Sequence, residues 1–165
     1  MNLVQRLMGI FSEDLLIELT KSEVSITSFT SGATVKDKPL IAVSGEKNKL
    51  TVEGVGAECQ NMSKPGLQLI NPFDHSRSFV ANFTYAEKIL QYLIRKLLRN
   101  RLITSPRVII HQLEKNEGGL TEIEERVLRE LALGAGAREV IVFQGSKINT
   151  NVDTYQTIKQ RFDAT

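Results

Sequence analysis

The residues best suited to metal binding or nucleophilic catalysis are few in this chain and widely spaced. It contains one cysteine, Cys59, and two histidines, His75 and His111. A disulfide needs two cysteines and a structural zinc site needs four cysteine or histidine ligands, so the composition argues against both. The spacing indicates no Ser–His–Asp or Cys–His arrangement. His111 lies in an apolar segment, and we predict that it is a core residue with satisfied hydrogen bonds.

Glycine, carboxylate and basic clusters each have a structural interpretation. Gly134-Ala135-Gly136 follow a predicted helix, whereas a phosphate-binding glycine loop leads into a helix N-terminus. We therefore interpret them as a helix C-cap with Gly134 as the left-handed residue. Glu124-Glu125 fall in a first helical turn, where the helix dipole favours acidic residues. The dipole also explains a basic patch at a predicted helix C-terminus, which consists of Arg95, Lys96, Arg99 and Arg101. The alternative interpretation of this patch is nucleic-acid or lipid binding.

Composition and charge indicate the class of protein. The chain has 165 residues, the usual size of one domain, and 41% of them are hydrophobic, which is enough for a core. Lys plus Arg total 21 against 19 for Asp plus Glu, a near balance that argues against a dedicated nucleic-acid binder. No apolar run approaches the roughly 18 residues that span a bilayer. We expect a soluble or peripheral protein of a reducing compartment.

The first twelve residues separate polar from apolar positions on a helical wheel. Six apolar side chains fall within an arc of about 160°. Gln5 and Arg6 interrupt the apolar run, which argues against a secretory signal peptide. Two interpretations remain: a helix packed on the protein's own core, or an amphipathic helix lying in the plane of a membrane. The second predicts membrane-binding residues Leu3, Val4, Arg6, Leu7, Met8, Ile10 and Phe11.

Alternating polarity and turn residues predict strands in the first half of the chain. Residues 14–20 and 23–30 predict a hairpin, since a short polar turn joins two β-rich segments. Residues 39–43 and 50–55 predict two shorter strands. A further strand is predicted at residues 67–70, after the Pro65-Gly66 turn.

The second half of the chain alternates helices and strands. Two capping boxes, Thr84–Glu87 and Thr121–Glu124, predict helices over residues 85–98 and 122–133. Apolar runs predict strands at residues 107–112 and 138–144. The pattern favours an α/β domain with a mixed sheet covered by helices.

Apolar spacing also predicts which helical residues face the core. For the first helix these are Ile89, Leu90, Leu93, Ile94 and Leu97. The second helix is expected to turn inward Ile123, Val127, Leu128 and Leu131. A short closing helix within residues 153–162 would bury Val152, Tyr155, Ile158 and Phe162.

Several strings resemble MreB, the family of bacterial actin-like rod-shape proteins. They are FSEDLLIEL at residues 11–19, NFTYAEKILQYLI at 82–94, SPRVII at 105–110 and RVLRELALGAGAREVIVF at 126–143. The likeness covers the first-domain half of such a protein. It implies an actin-like, RNase H-type mixed sheet with a small inserted β subdomain at about residues 36–72. The implied organisation is an amphipathic helix at residues 1–12 and a single actin-like domain at residues 13–165.

The chain departs from this family where nucleotide is bound. The family's Asp-Leu-Gly-Thr phosphate turn corresponds to Glu18-Leu19-Thr20-Lys21, without the glycine that lets backbone approach a phosphate. Gln144-Gly145-Ser146 replace a Glu-Glu-Pro stretch that helps position the attacking water. Asp74 to Ser78 replace a Lys-Asp-Gly stretch, and we expect the family's second domain to be absent. The resemblance with these departures predicts no nucleotide cofactor and no ATPase activity.

Three functions are compatible with the sequence. The leading hypothesis is a non-enzymatic, truncated MreB-like protein, cytoplasmic and peripheral on the inner face of the cytoplasmic membrane. It would modulate, cap or scaffold the bacterial actin-like cytoskeleton and so cell shape. Its expected partners are a full-length actin-like filament protein or the cell-wall elongation machinery, without nucleic acid and with self-association left open. The alternatives are a membrane-peripheral adaptor for an unrelated partner, and a small-molecule enzyme with a rebuilt site.

Overall fold

The computed structural model describes residues 12–46, 49–99 and 104–164. The predicted membrane-binding residues between Leu3 and Phe11 lie outside the described residues, as does Arg101 of the basic patch. The described elements occur in the order β1 (Ser12–Leu19), β2 (Val24–Ser28), β3 (Thr34–Asp37), β4 (Ile41–Glu46), β5 (Lys49–Val55), a 3₁₀ helix (Ala57–Asn61), β6 (Gln68–Ile70), α1 (Phe83–Leu98), β7 (Thr104–Gln112), α2 (Glu122–Gly134), β8 (Glu139–Phe143) and α3 (Tyr155–Asp163).

The main sheet has five strands in the order β3-β2-β1-β7-β8. The β1–β2 and β2–β3 pairs are antiparallel, whereas β1–β7 and β7–β8 are parallel. In the β1–β7 register Leu15 lies beside Val108 and Ile17 beside Ile110. The predicted hairpin and mixed α/β sheet are therefore confirmed.

Helices cover both faces of the central strands. Alternate residues of a strand point to opposite faces, so β1 sends Leu15 and Ile17 to one side and Leu16 to the other. Leu15 and Ile17 pack in the larger core with α1 and α2. Leu16 belongs to a second cluster beneath α3, with Ile109, Ile141, Ile148, Tyr155 and Ile158. This double burial explains the continuous apolar runs of β1, β7 and β8.

A charged contact fixes α3 on the sheet. The Arg107 guanidinium donates two hydrogen bonds to the Asp14 carboxylate, each 2.7 Å long. The guanidinium carbon lies 4.3 Å from the centre of the Tyr155 ring, within cation–π range. Tyr155 is fully buried at the start of α3. One arginine thus joins β1, β7 and the closing helix.

A second, small sheet has the order β5-β4-β6 and is antiparallel throughout. Its residues Ile41, Val43 and Val55 are buried in the larger core. Asp37, the last residue of β3, ties the two sheets together because its carboxylate accepts hydrogen bonds from the backbone N–H of Lys38 and of Ala57. The small sheet agrees with the inserted β subdomain of the predicted fold class, while the division into residues 1–12 and 13–165 stays a prediction.

The two predicted capping boxes have different outcomes. Thr121–Glu124 is confirmed, with the Thr121 side chain accepting from the Glu124 backbone and Glu124 reaching back to the Thr121 N–H. Thr84–Glu87 is wrong, because α1 begins at Phe83 and Thr84 lies inside its first turn. Asn82 is the N-cap, and its side chain accepts a 3.0 Å hydrogen bond from the Tyr85 N–H. Asn is at least as good an N-cap as Thr, so the earlier residue takes the position.

The inward face of α1 is confirmed. Three residues elsewhere that were predicted to face the core are exposed instead. Ile123 is 77% exposed, Val152 is 74% exposed and Phe162 is 46% exposed. The inward face of α2 is set by Leu128, Leu131 and Ala132. At about 100° per residue, Ile123 lies more than about 100° from the centre of that face. In α3, Tyr155 and Ile158 are buried as expected.

The predicted role of Gly134 is also wrong. Gly134 is the last helical residue of α2, Ala135 is a right-handed C-cap, and the positive φ of 110° belongs to Gly136. Gly134 is instead a point of close approach between helices, since a Cβ there would clash with the Glu87 carboxylate of α1. The helix therefore ends in this segment as expected, but Gly136 and not Gly134 has the positive φ.

The residue between β5 and the 3₁₀ helix gives a stability test. Gly56 has φ 97° and ψ −166°, a region open only to glycine, and an added Cβ would clash with the Asp37 carboxylate. We expect Gly56→Ala to lower the free energy of unfolding by about 2–3 kcal/mol. Gly32→Ala is the matched control, because Gly32 also has a positive φ of 68° but has nothing within 4 Å of an added Cβ.

Urea unfolding of both variants measures the difference. Gly32→Ala should cost only about 1 kcal/mol, since left-handed backbone is its single penalty. Equal losses in the two variants would contradict the role of Asp37 as the tie between the sheets.

Candidate functional site

The carboxyl ends of β1, β7 and β8 meet at one edge of the main sheet. Because these strands are parallel, the loops that follow them are neighbours, as at ligand sites of other α/β sheets. We call this edge the strand-end site and define it as residues 20–23, 71–78, 113–121 and 144–146. It contains Thr20 and Lys21, the second half of the segment compared above with a phosphate turn, and residues 144–146, compared above with a water-positioning stretch.

Thr20 closes the turn between β1 and β2 with its own side chain. Its backbone N–H donates to the Glu23 carbonyl at 3.0 Å. Its hydroxyl accepts from the Glu23 N–H at 2.9 Å and lies 3.0 Å from the Glu23 carbonyl, to which it donates. The residue that stands where a phosphate turn has glycine therefore folds the turn onto itself.

Lys21 contacts two other segments of the strand-end site, residues 71–78 and 113–121. Its backbone N–H donates to Glu114 Oε2 at 2.7 Å, and its carbonyl accepts from Asn71 Nδ2 at 2.8 Å. Its ammonium lies 2.7 Å from Asp74 Oδ1. The Asp74 hydrogen bond is the main reason that the pKa of Lys21 is raised, with a smaller contribution from Glu114. The Glu114 carboxylate thus accepts the hydrogen bond of the Lys21 backbone N–H in the turn between β1 and β2.

The loop after β7 is held in a defined conformation beneath this contact. Gln112 is buried, and its side-chain N–H groups donate to the carbonyls of Glu114 and Lys115 at 2.8 and 3.1 Å. Asn116 Nδ2 donates back to the Gln112 carbonyl at 3.0 Å. Lys115 has φ 54°, unusual for a residue with a side chain, and its ammonium donates to the His75 carbonyl.

Gln144 has a structural use at the end of β8. Its side-chain oxygen accepts from the Leu120 N–H at 2.7 Å, and its side-chain nitrogen lies 2.6 Å from Glu125 Oε1, to which it donates. The amide therefore positions the segment that leads into α2. Glu125 of the predicted acidic pair is occupied by this contact, and Glu124 by the capping box.

A polar groove lies beside α3 on the other face of β1, β2 and β3. Its volume is about 440 Å³, and residues 147–150 form one wall. Hydroxyl groups, Lys36, Lys147 and Glu18 line it. Lys36 is paired with Glu23 at 3.3 Å, whereas Glu18 Oε1 is buried and has no hydrogen-bond partner among the described residues. The described ranges hold no group of three or more His, Cys, Asp or Glu side chains that could hold a metal ion.

His111 is buried on the same face, with 1% of its surface exposed. Its ring packs edge-on against Phe143 at 5.0 Å. The predicted core position is confirmed, but the expected hydrogen bonds are not, since neither ring nitrogen has a partner within the described part of the chain. Burial is the main reason that the pKa of His111 is lowered. The apolar surroundings therefore favour a neutral imidazole.

The other candidate residues, from the basic patch and the single cysteine, make structural contacts. Lys96 of the basic patch lies 3.6 Å from Asp37 and over the Tyr92 ring. Arg99 is the left-handed C-cap of α1. Cys59 is buried in the small sheet region, and burial raises the pKa of its thiol, which makes it unreactive. Among the helices that the structure describes, none is long and apolar enough to cross a membrane.

The sequence did not single out Glu114, Lys115 or Asn71. Glu114 lies two residues beyond β7, and Lys21 two residues beyond β1. A parallel pairing of β1 with β7, had it been predicted, would have indicated that the residues following these two strands lie close together. The hydrogen bonds of Gln112 have no comparable signal in the sequence.

Comparisons with known proteins agree with this architecture. The family model described as MreB/Mbl protein matches residues 12–150. The cell shape-determining protein MreB of Pasteurella multocida is 29% identical over 148 residues, which are 86% of this chain and 40% of that protein. The chain thus spans about 40% of the length of the curated relatives it matches.

Two solved structures share the fold. MreB5 of Spiroplasma citri bound to ADP has a TM-score of 0.58 and 18% identity, covering 79% of this chain and 38% of that chain. The MamK double helical filament has a TM-score of 0.54 and 12% identity, covering 77% and 39%. At these identities the likeness shows the actin-like fold alone, and it confirms the predicted fold class.

Buried His111 should make stability depend on pH. Its folded-state pKa lies below the ordinary 6.5, so the unfolded chain binds a proton at higher pH than the folded chain. The contribution of neutral His111 is complete above about pH 6.5 and is lost as the pH falls. We expect the free energy of unfolding to drop by up to about 1.4 kcal/mol per pH unit in that window.

Chemical unfolding of the protein, of His111→Gln and of His75→Gln at about pH 8 and about pH 5.5 measures this effect. Exposed His75 is the matched control. The drop should shrink in His111→Gln and persist in His75→Gln. A drop of the same size in all three proteins would show that other groups cause it.

Proposed function

Since the chain belongs to the MreB/Mbl protein family, we propose that it acts in the bacterial cell-shape cytoskeleton as a non-enzymatic modulator. In this role it would cap, scaffold or otherwise adjust an actin-like filament without turning over nucleotide. The observation that carries the proposal is the hydrogen bond between the Lys21 N–H and the Glu114 carboxylate.

This contact opposes nucleotide binding in two ways. The Lys21 amide is already bound to an oxygen, and the nearby Glu114 and Asp74 carboxylates repel a phosphate. Thr20 adds a side chain where backbone would have to approach the ligand. Gln144, at the position of an acidic stretch, uses its amide to bind Leu120 and Glu125 and provides no carboxylate to orient water.

The fold supports a role in filament contacts. MreB5 and MamK share this actin-like arrangement, and the MamK structure is that of a double helical filament. A chain with the same fold can present part of the surface that such a protein presents. We therefore propose that its partner is a full-length actin-like filament protein or the cell-wall elongation machinery, with self-association as a further option.

The proposed location is the inner face of the cytoplasmic membrane. The support is the sequence pattern of residues 1–12, whose apolar positions share one side of a helical wheel. Burying six apolar side chains is favourable by about 1.5 kcal/mol or more each, but ordering the helix costs about 1–2 kcal/mol per residue. One copy would bind weakly, so a second membrane contact through a partner is part of the proposal.

Titration with magnesium–ATP tests the absence of nucleotide turnover. Calorimetry should show no saturable heat up to about 1 mM ATP, since the turn amide is occupied and two carboxylates surround it. The same preparation should co-sediment with filaments of a full-length MreB and stay in the supernatant without them. A micromolar ATP complex would contradict the non-enzymatic role, and failure to co-sediment would favour the adaptor alternative.

Vesicle binding tests the membrane proposal. Leu7→Glu with Phe11→Glu places two charges on the apolar side and should release the protein from anionic vesicles, because each charge would have to enter the acyl region. Asn2→Glu with Gln5→Glu adds the same charge on the polar side and is the matched control. Flotation with vesicles measures both. Release by the two variants alike would indicate simple charge repulsion, and unfolding of the first variant would indicate a core helix.

A further inference from the structure

The outward side of α1 carries three positive charges along one line. Lys88, Arg95 and Arg99 are all exposed. At about 100° per residue, Lys88 and Arg95 lie within about 20° of each other, and the buried residues of α1 are centred on the opposite side of the helix. Arg99, the C-cap, follows one turn later, so the line is about 16 Å long. We call these three residues the basic stripe.

No acidic side chain of the protein pairs with the basic stripe. The neighbouring Lys96 lies 3.6 Å from Asp37 Oδ2, whereas the three stripe residues form no ion pair with residues that the structure describes. Every Asp and Glu of the chain falls in the described ranges. Residues 88–113 contain no Asp or Glu, although the whole chain has 19. The charge of the stripe is thus not neutralised by any Asp or Glu of the chain.

The stability of α1 does not explain the basic stripe. Arg95 and Arg99 lie at the C-terminal end of the helix, where the dipole favours cations. Lys88 lies in the second turn, and the effect of the dipole falls off within the last turn. Arg95 and Arg99 are also four residues apart, a spacing at which like charges destabilise a helix. A contact outside the chain is the better explanation of the stripe.

The basic stripe ends on the side of the protein from which the N-terminal segment leaves. Ser12, the first residue of β1, is paired with Thr104, the first residue of β7. Arg99 precedes Thr104 by five residues, which can span at most about 18 Å. The stripe therefore ends close to the start of residues 1–12, whose sequence pattern predicts membrane binding.

We propose that the basic stripe binds the anionic headgroups of a lipid surface, so that α1 supplies a second membrane contact within the same chain. This inference rests on the proposed function, because it presumes that residues 1–12 bring the chain to a membrane. That segment offers apolar side chains and only Arg6 as a basic residue, whereas the stripe offers charge. Stable anchoring takes two signals of this kind, an apolar one and a basic one.

A lipid surface fits the basic stripe better than a nucleic acid does. The stripe lies beside a segment with the pattern of a membrane-bound helix, and it projects directly away from the core on an exposed helix. The chain as a whole has 21 basic against 19 acidic residues, without the general basic excess of a nucleic-acid binder. Nucleic acid is therefore kept as an outcome of the test.

Neutralisation of the basic stripe should weaken binding to anionic vesicles. The variant is Lys88→Gln with Arg95→Gln and Arg99→Gln, and its fold should persist because all three positions are exposed. One basic residue near an anionic surface changes the binding constant about fivefold, so the loss of three should weaken binding about 100-fold. The matched control removes the same charge from exposed lysines outside α1, by Lys49→Gln, Lys64→Gln and Lys147→Gln.

Flotation measures binding to vesicles of phosphatidylcholine alone and of equal parts phosphatidylcholine and phosphatidylglycerol. The unmodified protein and the matched control should prefer the anionic vesicles, and the neutralised variant should lose most of that preference. An increase in NaCl from about 0.1 M to about 1 M should remove it as well, because the Debye length falls from about 10 Å to about 3 Å. Arg95→Lys with Arg99→Lys should bind like the unmodified protein, since the contact needs charge and not guanidinium geometry.

Three results would overturn the inference. They are equal binding of the unmodified protein to both kinds of vesicle, equal losses in the neutralised variant and the matched control, and binding of a random-sequence DNA duplex that is tighter than vesicle binding and is lost in the neutralised variant. Circular dichroism checks the fold of each variant. If the triple variant does not fold, Lys88→Gln alone decides, with an expected loss of about fivefold and no loss as the contrary result.

Failure of this inference can be distinguished from failure of the proposed function. If the unmodified protein binds both kinds of vesicle equally and Leu7→Glu with Phe11→Glu releases it, the basic stripe has no part in binding and the proposed location stands. If the unmodified protein binds neither kind of vesicle, the proposed location fails together with the inference.

Discussion

The parallel pairing of β1 with β7 is the constraint on which the rest of the structure depends. It brings residues 12–19 beside residues 104–112 and makes β1 the central strand of the main sheet. A parallel pair buried on both faces needs apolar side chains at successive positions, as in the Leu15-Leu16-Ile17 run. It also fixes the register in which Asp14 faces Arg107. The ion pair between these two residues places the Arg107 guanidinium against the Tyr155 ring of α3. The loops of the strand-end site are neighbours for the same reason.

Elements with strong local signals could be predicted from the sequence. The hairpin, the strands β7 and β8, the Thr121 capping box and the inward face of α1 follow from alternation, apolar runs and helical spacing. The strand β3 was not predicted, because Thr34 to Asp37 lack apolar alternation and their pairing with β2 supplies the order. Its burial is correspondingly slight.

The errors arise where two local signals compete or where tertiary position decides. Asn82 and Thr84 are both good N-caps, and only the structure shows which one begins α1. Ile123 fits an apolar helical pattern, yet α2 is oriented by Leu128, Leu131 and Ala132. The Lys21–Glu114 contact had no signal of its own, since exposed charged residues in loops are ordinary in any sequence. It became visible only through the β1–β7 pairing.

The polar contacts of the strand-end site and the packing of the core involve different residues. The fold depends on buried side chains such as Ile17, Val108 and Ile110, which are packed from several sides and resist change. Thr20, Lys21 and Glu114 lie at the ends of strands and are exposed or partly exposed, so substitutions there leave the core untouched. An actin-like fold can therefore keep its core while the polar contacts at its strand ends differ. The family relationship accordingly settles the architecture of this chain, and the chemistry of the edge has to be argued from its own residues.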